Sequence, residues 1–358
     1  MIILGIESSC DDTSVALLNI TNKKIEILAE LTASQIDVHK KYGGVVPEIA
    51  GRKHAEKIIP LVEEVLANGL QTTDYSKNKP DVIAVTSGPG LITGLIVGVE
   101  TTKTLSYLWD VPIVSVNHIE GHIHSVLVES RKSKIKSHFE YPVEYPVLSL
   151  VASGGHTELI LSKKENHYEK IGGTRDDAAG ECFDKVAKLL GFDYPGGPKI
   201  SEFAQKGNPE AIKFPRPMIN SDDFDMSFSG LKTSALYWLR DNAKKLVNSY
   251  QLPITTKKNF CASFEQAIID LLVTKTIKAV KKYNPKTVIL GGGVSANKKL
   301  RNTLEQETQG LSTFYFPLST YCMDNATMIA VASYHHAIKK EFTNWQDLQA
   351  DPNWKIYE

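Results

Sequence analysis

Two stretches of this chain share one plan, and that repetition limits its folds more than any other feature. IILGIESSCDDTSVALLN (2–19) runs from an apolar segment through a small, acidic turn into a second apolar segment, and VLSLVASGGHTELILS (147–162) repeats the design. Both are expected to be β-hairpins whose Ser, Gly and Asp turns hold backbone N–H groups outward. HAEKIIPLVEEVLANGL (54–70) has helical spacing and leads into KPDVIAVTSGPGLITGLIVGVETTKTLSY, a strand, a glycine loop and a helix. FCASFEQAIIDLLVTKTIKAVKKY (260–283) leads in the same way into NPKTVILGGGVSANKKLRNTLEQ. Each half then adds a strand, VPIVSV (111–116) or STFYFP (312–317), followed by a helix.

Strands alternating with helices behind a hairpin pair in parallel, so each half should be an α/β layer. The expected fold class is therefore α/β, with two duplicated actin-like domains facing each other across a cleft. That plan is shared with sugar kinases and Hsp70-like ATPases, which suggests a nucleotide in the cleft by analogy of fold. The expected boundaries are a first half at 1–125, a basic connecting segment at 126–146, a second half at 147–340 and a tail at 341–358. The second half carries a Gly-, Pro- and Asp-rich insert near 172–235.

At 358 residues the chain is long enough for two such domains. Its net charge of +0 announces neither nucleic acid nor an anionic membrane, although a local basic stripe would be compatible with it. No apolar run reaches the length of a membrane span, and the start MIILGIESSCDD lacks the basic, apolar layout of a signal peptide. The expected location is the cytoplasm. Cys10, Cys182, Cys261 and Cys322 lie far apart without a CxxC pair, which argues against a disulfide framework and a cysteine zinc site.

VNHIEGHIHSV (116–126) places His118 and His122 four positions apart, on one helical face. Two ligands are too few for a metal site. Duplication supplies a candidate third. PLSTYCMDNATMIA (317–330) is the matching segment of the second half, with Asp324 at the start of its helix as His118 is at the start of the other. Two histidines and one carboxylate suit Fe(II) or Zn(II) with positions left open. The competing role for Asp324 is a helix N-cap. A metalloprotease needs Glu directly after the first His, whereas Glu120 is two positions on and turns away.

SGPGLITG (87–94) and LGGGVSAN (290–297) place glycines between strand and helix but match neither the Walker nor the dinucleotide fingerprint. VASGGHTE (151–158) offers Ser153, Gly154, Gly155 and Thr157 as phosphate donors. In TRDDAAGECFDK (174–185), Asp176, Asp177 and Asp184 are candidates for Mg²⁺ or ribose hydroxyls, Asp184 foremost because its helix is apolar-patterned.

Eleven motifs in order, GIESSCDDTSVA, KYGGVVPEIAGRKH, TSGPGLITGLIVG, VNHIEGH, VASGGHTELI, DDAAGECFDKVAKLLG, YPGGPKIS, FPRPM, MSFSGLKT, GGGVSAN and CMDNATMIA, span nearly the whole chain. Together they resemble the tRNA threonylcarbamoyladenosine synthase family in its bacterial TsaD form. The resemblance implies transfer of a threonylcarbamoyl group from threonylcarbamoyl-AMP to the N6 amine of the adenosine 3′ to the anticodon, in tRNAs reading ANN codons. It implies one divalent metal ion, Fe(II) with Zn(II) as the alternative, on His118, His122 and Asp324. It also implies a substrate-phosphate loop at Val151, Ala152, Ser153, Gly154 and Gly155, and further substrate contacts at Asp184, Gly197 and Asn297. The AMP moiety, with or without Mg²⁺, would occupy that site. Implied partners are tRNA and TsaB-like and TsaE-like proteins, with no membrane. Met323, the VASGG loop and Arg175 depart from the family pattern without removing a ligand.

Glu7 and Asp11, in the first hairpin, are the expected catalytic carboxylates, assisting deprotonation of the incoming amine. Hydrogen bonding within the turn is their alternative role. His39, Lys40, Lys41, Arg52 and Lys53, together with Arg131, Lys132, Lys134 and Lys136, are candidate tRNA phosphate contacts. The competing functions are a small-molecule kinase or a regulatory ATPase of the same architecture, neither of which needs the metal triad.

Overall fold

The computed structural model describes residues 1–22, 24–71, 74, 78–128 and 143–357. The chain forms two compact units, residues 1–142 with 317–356 and residues 143–316.

The first unit begins with an antiparallel meander of β1 (Ile2–Glu7), β2 (Asp12–Ile20) and β3 (Ile25–Ser34). A short helix α1 (Ile36–His39) and the long α2 (Pro47–Leu70) follow. Then come β4 (Val82–Gly88), α3 (Ile92–Trp109), β5 (Ile113–Asn117) and α4 (His118–His124). β4 runs parallel to β1 and β5 parallel to β4, giving the order β3-β2-β1-β4-β5. The meander's third strand was not apparent in the sequence because its apolar and polar residues alternate only loosely.

The second unit repeats this order. β6 (Val147–Ala152), β7 (Thr157–Lys164) and β8 (His167–Gly173) form its meander. The insert supplies α5 (Ala179–Leu189), α6 (Gly196–Ala204), α7 (Ser229–Asn242) and a two-stranded ribbon of β9 (Lys244–Lys245) and β10 (Tyr250–Gln251). The buried helix α8 (Ile254–Tyr283), β11 (Thr287–Gly291), α9 (Lys298–Thr308) and β12 (Thr313–Tyr315) complete it, in the order β8-β7-β6-β11-β12. The duplication is therefore present strand for strand. Phe183, Phe214, Phe260 and Phe264 fill the core between α5, α8 and the insert.

The chain then returns to the first unit with α10 (Ala326–Ile338), and here the structure corrects the expected boundaries. Residues 317–340 belong with the first unit, and the second ends at Phe316. The reason is packing. Central strands carry apolar residues on both faces: Leu4 and Ile6 pack with Ile58, Val62 and Val99 of α2 and α3, while Ile3 packs with Ala326, Met328 and Ala330 of α10. Gly5 lets α10 lie directly on the sheet, because a Cβ there would strike the Ala326 carbonyl and stand 3.1 Å from Ala330 Cβ. The expected tail also packs into this unit: Leu348 is buried beside α2 and α3, and Asn117 Nδ2 donates to Trp354 O. The basic connecting residues 131–136 lie outside the described residues. Among those described, no helix is long and apolar enough to cross a membrane.

Candidate metal centre

β5 ends in Asn117, whose Oδ1 accepts the Ile119 N–H at 2.9 Å and so starts α4 at His118. Before α10, Asn325 Oδ1 accepts the Met328 N–H at 2.8 Å. Asn325 is therefore the N-cap, and the Asp324 carboxylate is left to turn toward the histidines. Asp324 Oδ1 lies 3.4 Å from His118 Nε2 and 3.3 Å from His122 Nε2. The two rings meet edge-on with centroids 4.6 Å apart. The helices can approach because α4 carries Gly121 where they cross: a Cβ there would be 2.8 Å from Ile329 Cδ1.

His118 is oriented from behind. Its Nδ1 donates to Glu7 Oε2 at 3.0 Å, with Ser9 Oγ 3.1 Å away. Glu7 is fully buried and also accepts from Ser9 N and Thr86 Oγ1, each at 2.6 Å. Those contacts aim Nε2 of His118 at Asp324, where an ion would take the place of its proton. Burial pushes the Asp324 carboxyl up, but the neighbouring His118 and His122 outweigh it and hold it well below the usual range. Burial likewise draws His118 down, and Asp324 and Glu7 outweigh it and raise it well above its ordinary value. His122 is held below its ordinary value by burial.

The set fits a metal ion. Three donor atoms, one from each residue, lie within 4.8 Å of one another. Donors 2.0–2.2 Å from one ion at tetrahedral angles stand about 3.3–3.6 Å apart, the spacing of the two Asp324 contacts. Both His122 nitrogens are buried without a hydrogen-bond partner among the described residues, and the 3.3 Å approach to Asp324 lacks hydrogen-bond geometry. A buried imidazole left in this state is short of a ligand. The anionic surroundings that favour a proton on His118 would favour a cation equally. Ser9 and Thr86 are parts of the site that sequence reading missed, since nothing in their local pattern marks them.

Asp11 lies half-buried in the β1–β2 turn of the first unit, and the expected substrate-binding residues lie in the second unit. Val151 and Ala152 are buried in β6. The Ser153 N–H is spent on His156 O and Ser153 Oγ accepts from His156 N, so of the expected phosphate donors Gly154 and Gly155 are the exposed pair with open space beside them. The loop adjoins α5, where a Cβ at Gly180 would meet the Ser153 carbonyl at 2.5 Å. Asp184 Oδ1 accepts from Gly196 N at 2.7 Å and Gly197 N at 3.4 Å, tying α5 to the start of α6. Asn297 caps α9 through Leu300 N, and its Nδ2 donates to Ser201 Oγ and Glu265 Oε1. That amide is occupied by the fold. Asp176 accepts from Ser227, Phe228 and Ser229 at the start of α7, and Asp177 pairs with Lys185 and Lys232. Arg175 pairs with Asp223 and Asp225.

Among the tRNA candidates, His39 is buried against Gln35, Arg52 pairs with Glu48 and Lys53 with Glu56. These are local contacts. Lys40 and Lys41, in the turn between α1 and α2, are exposed at the surface.

In solved structures the chain resembles HypF of T. kodakarensis (TM-score 0.59, 14% identity), covering 97% of this chain and 49% of HypF. It also resembles component A of the Acidaminococcus fermentans (R)-2-hydroxyglutaryl-CoA dehydratase (TM-score 0.51, 13% identity), covering 94% and 99%. At such identities the likeness shows the fold alone, the duplicated actin-like α/β plan. In sequence, a protein of Thermosipho africanus named tRNA N6-adenosine threonylcarbamoyltransferase is 42% identical over 359 positions, covering 99% of this chain and 100% of that protein. One of Geotalea uraniireducens with the same name is 44% identical, covering 99% and 97%. The family model described as TsaD, tRNA N6-adenosine threonylcarbamoyltransferase, matches residues 26–331, and with these relatives it shows that the chain belongs to that family.

Proposed function

We propose that this chain transfers the threonylcarbamoyl group from threonylcarbamoyl-AMP to the N6 amine of the adenosine 3′ to the anticodon in tRNAs reading ANN codons. The observation that carries the reading is a donor set of the buried His118 and His122 with the half-buried Asp324, in a chain that matches transferases of this name from end to end. The kinase and regulatory alternatives leave that donor set without a purpose.

A divalent ion held by those three residues, Fe(II) with Zn(II) as the alternative, supplies a Lewis acid for the carbonyl under attack. The chain's own residues do the rest. The amine nitrogen forms the new C–N bond as the C–O bond to AMP breaks, and one proton leaves the nitrogen. Glu7 holds His118 in its tautomer and orientation; its hydrogen bonds to Ser9, Thr86 and His118 support positioning over taking that proton. Asp11, half-buried in the β1–β2 turn, is the remaining candidate base. The N–H groups of Gly154 and Gly155 receive the phosphate of the departing AMP, with or without Mg²⁺. Asp184 keeps Gly197 in place for the nucleoside, and Asn297 braces the elements around it.

A tRNA substrate supports a cytoplasmic location, and the family resemblance supports TsaB-like and TsaE-like partners. The test is to supply threonylcarbamoyl-AMP and an ANN-decoding tRNA transcript to the metal-loaded chain with those partners, then digest the tRNA for mass spectrometry. Threonylcarbamoyladenosine is expected. Its absence, while the partners' own activities are intact, contradicts the reading.

A further inference from the structure

The opposite face of α4 carries a second arrangement that the transfer chemistry does not use. Glu120 lies about 200° around the helix from His118, whereas His122 lies only about 40° from it. Glu120 is buried, 5% exposed, and its Oε1 is 3.1 Å from His336 Nε2 on α10. His336 Nδ1 in turn lies 2.6 Å from Glu341 Oε2 just beyond that helix. Each ring nitrogen faces a carboxylate, so both donate and the ring is an imidazolium. Burial draws His336 down, but Glu120 and Glu341 outweigh it and raise it to about 9.

We propose that Glu120 and His336 are positioning residues that fix the roll of α4 about its axis, so that His118 and His122 converge on Asp324. All seven residues of α4 are buried, so apolar packing and polar contacts set that roll together, and the Glu120–His336 pair is the polar contact on the face away from the histidines. α4 has seven residues, too few to be held by its own hydrogen bonds. Gly121, at the crossing with α10, offers only backbone to Ile329 and Met328, a close but non-polar contact. Asp324 and His336 flank the same helix, Asp324 two residues before its start and His336 near its end. α10 thus holds α4 from both sides, at the histidines by Asp324 and at Glu120 by His336. Losing the second contact frees α4 to turn and spreads the donors.

This inference rests on the metal reading above, and its test separates the two. The purified full-length chain is titrated with Co(II) alone, following the d–d absorption and the Kd, with thermal melting recorded for every variant. Wild type is expected to bind one Co(II). His336→Ala should weaken binding about tenfold and alter the absorption bands, and His336→Gln, which keeps a donor toward Glu120, should recover part of the loss. A purely structural role would lower the melting temperature and leave the Kd and spectrum of the folded protein unchanged. That result with either variant overturns the proposal; if His336→Ala does not fold, His336→Gln decides it. A wild type that takes up no Co(II) overturns the metal reading, and this inference with it.

Discussion

Glu7 and His118, 111 positions apart in the chain, meet at 3.0 Å because the parallel strands β1 and β5 both finish at the same end of one sheet. That contact makes the first hairpin part of the metal centre. Glu7→Gln keeps the volume but weakens the hold on His118 Nδ1, so metal affinity should fall about 10–100-fold. Metal titration checks it. A base would behave otherwise, lowering turnover with metal affinity unchanged.

Gly121→Ala tests the helix crossing. The added methyl would stand 2.8 Å from Ile329 Cδ1 and 3.2 Å from Met328 Cγ, and the side chains must give way. Overpacking of this kind costs about 1–3 kcal/mol. Urea denaturation should show that loss, together with weaker metal binding. Unchanged stability would mean that α10 yields freely.

Asn297→Ala separates bracing from substrate contact. Its amide caps α9 and bridges Ser201 to Glu265. Stability should drop by about 1–2 kcal/mol, the value of a lost cap, with little change in KM for threonylcarbamoyl-AMP. A large KM effect at unchanged stability would return Asn297 to the substrate.

His54 gives the first unit a pH dependence. It is fully buried in α2, accepting from Thr13 Oγ1 at Nδ1 and donating from Nε2 to Cys10 O, and burial holds it below its ordinary value. Below about pH 6.5 the unfolded chain therefore binds a proton that the folded chain resists, so stability falls as the pH falls. His336 and His118, both raised, act in the opposite sense, so the His54 share is read as a difference in denaturation midpoints: between pH 7.5 and 5.5 wild type should lose more stability, or gain less, than His54→Gln.

The strand-and-helix order, the duplication and the His118–His122 pair were legible because each is a local pattern of spacing. Asp324 was also reached, although through an inexact picture. Its helix was matched to α4 as the equivalent of a second half, whereas α10 packs on the first unit at Gly5, a contact between residues more than 300 positions apart. Long-range packing of that kind leaves no periodic trace. The same limit applies to Glu7 and Asn297. A carboxylate or amide reads identically in sequence whether it meets a substrate or is consumed by hydrogen bonds, and only the partners decide. Ser9, Thr86 and His336 are ordinary polar residues until the fold brings them to their carboxylates.

The central claim is that Asp324 completes a metal set required for threonylcarbamoyl transfer. Its most direct test measures threonylcarbamoyladenosine formed on tRNA by wild type and Asp324→Ala, both incubated with the same excess of Fe(II) under anaerobic conditions, desalted and assayed for bound metal. Asp324→Ala is predicted to lose bound metal and to lose transfer by on the order of 10³-fold. A folded Asp324→Ala that transfers at the wild-type rate would contradict the account.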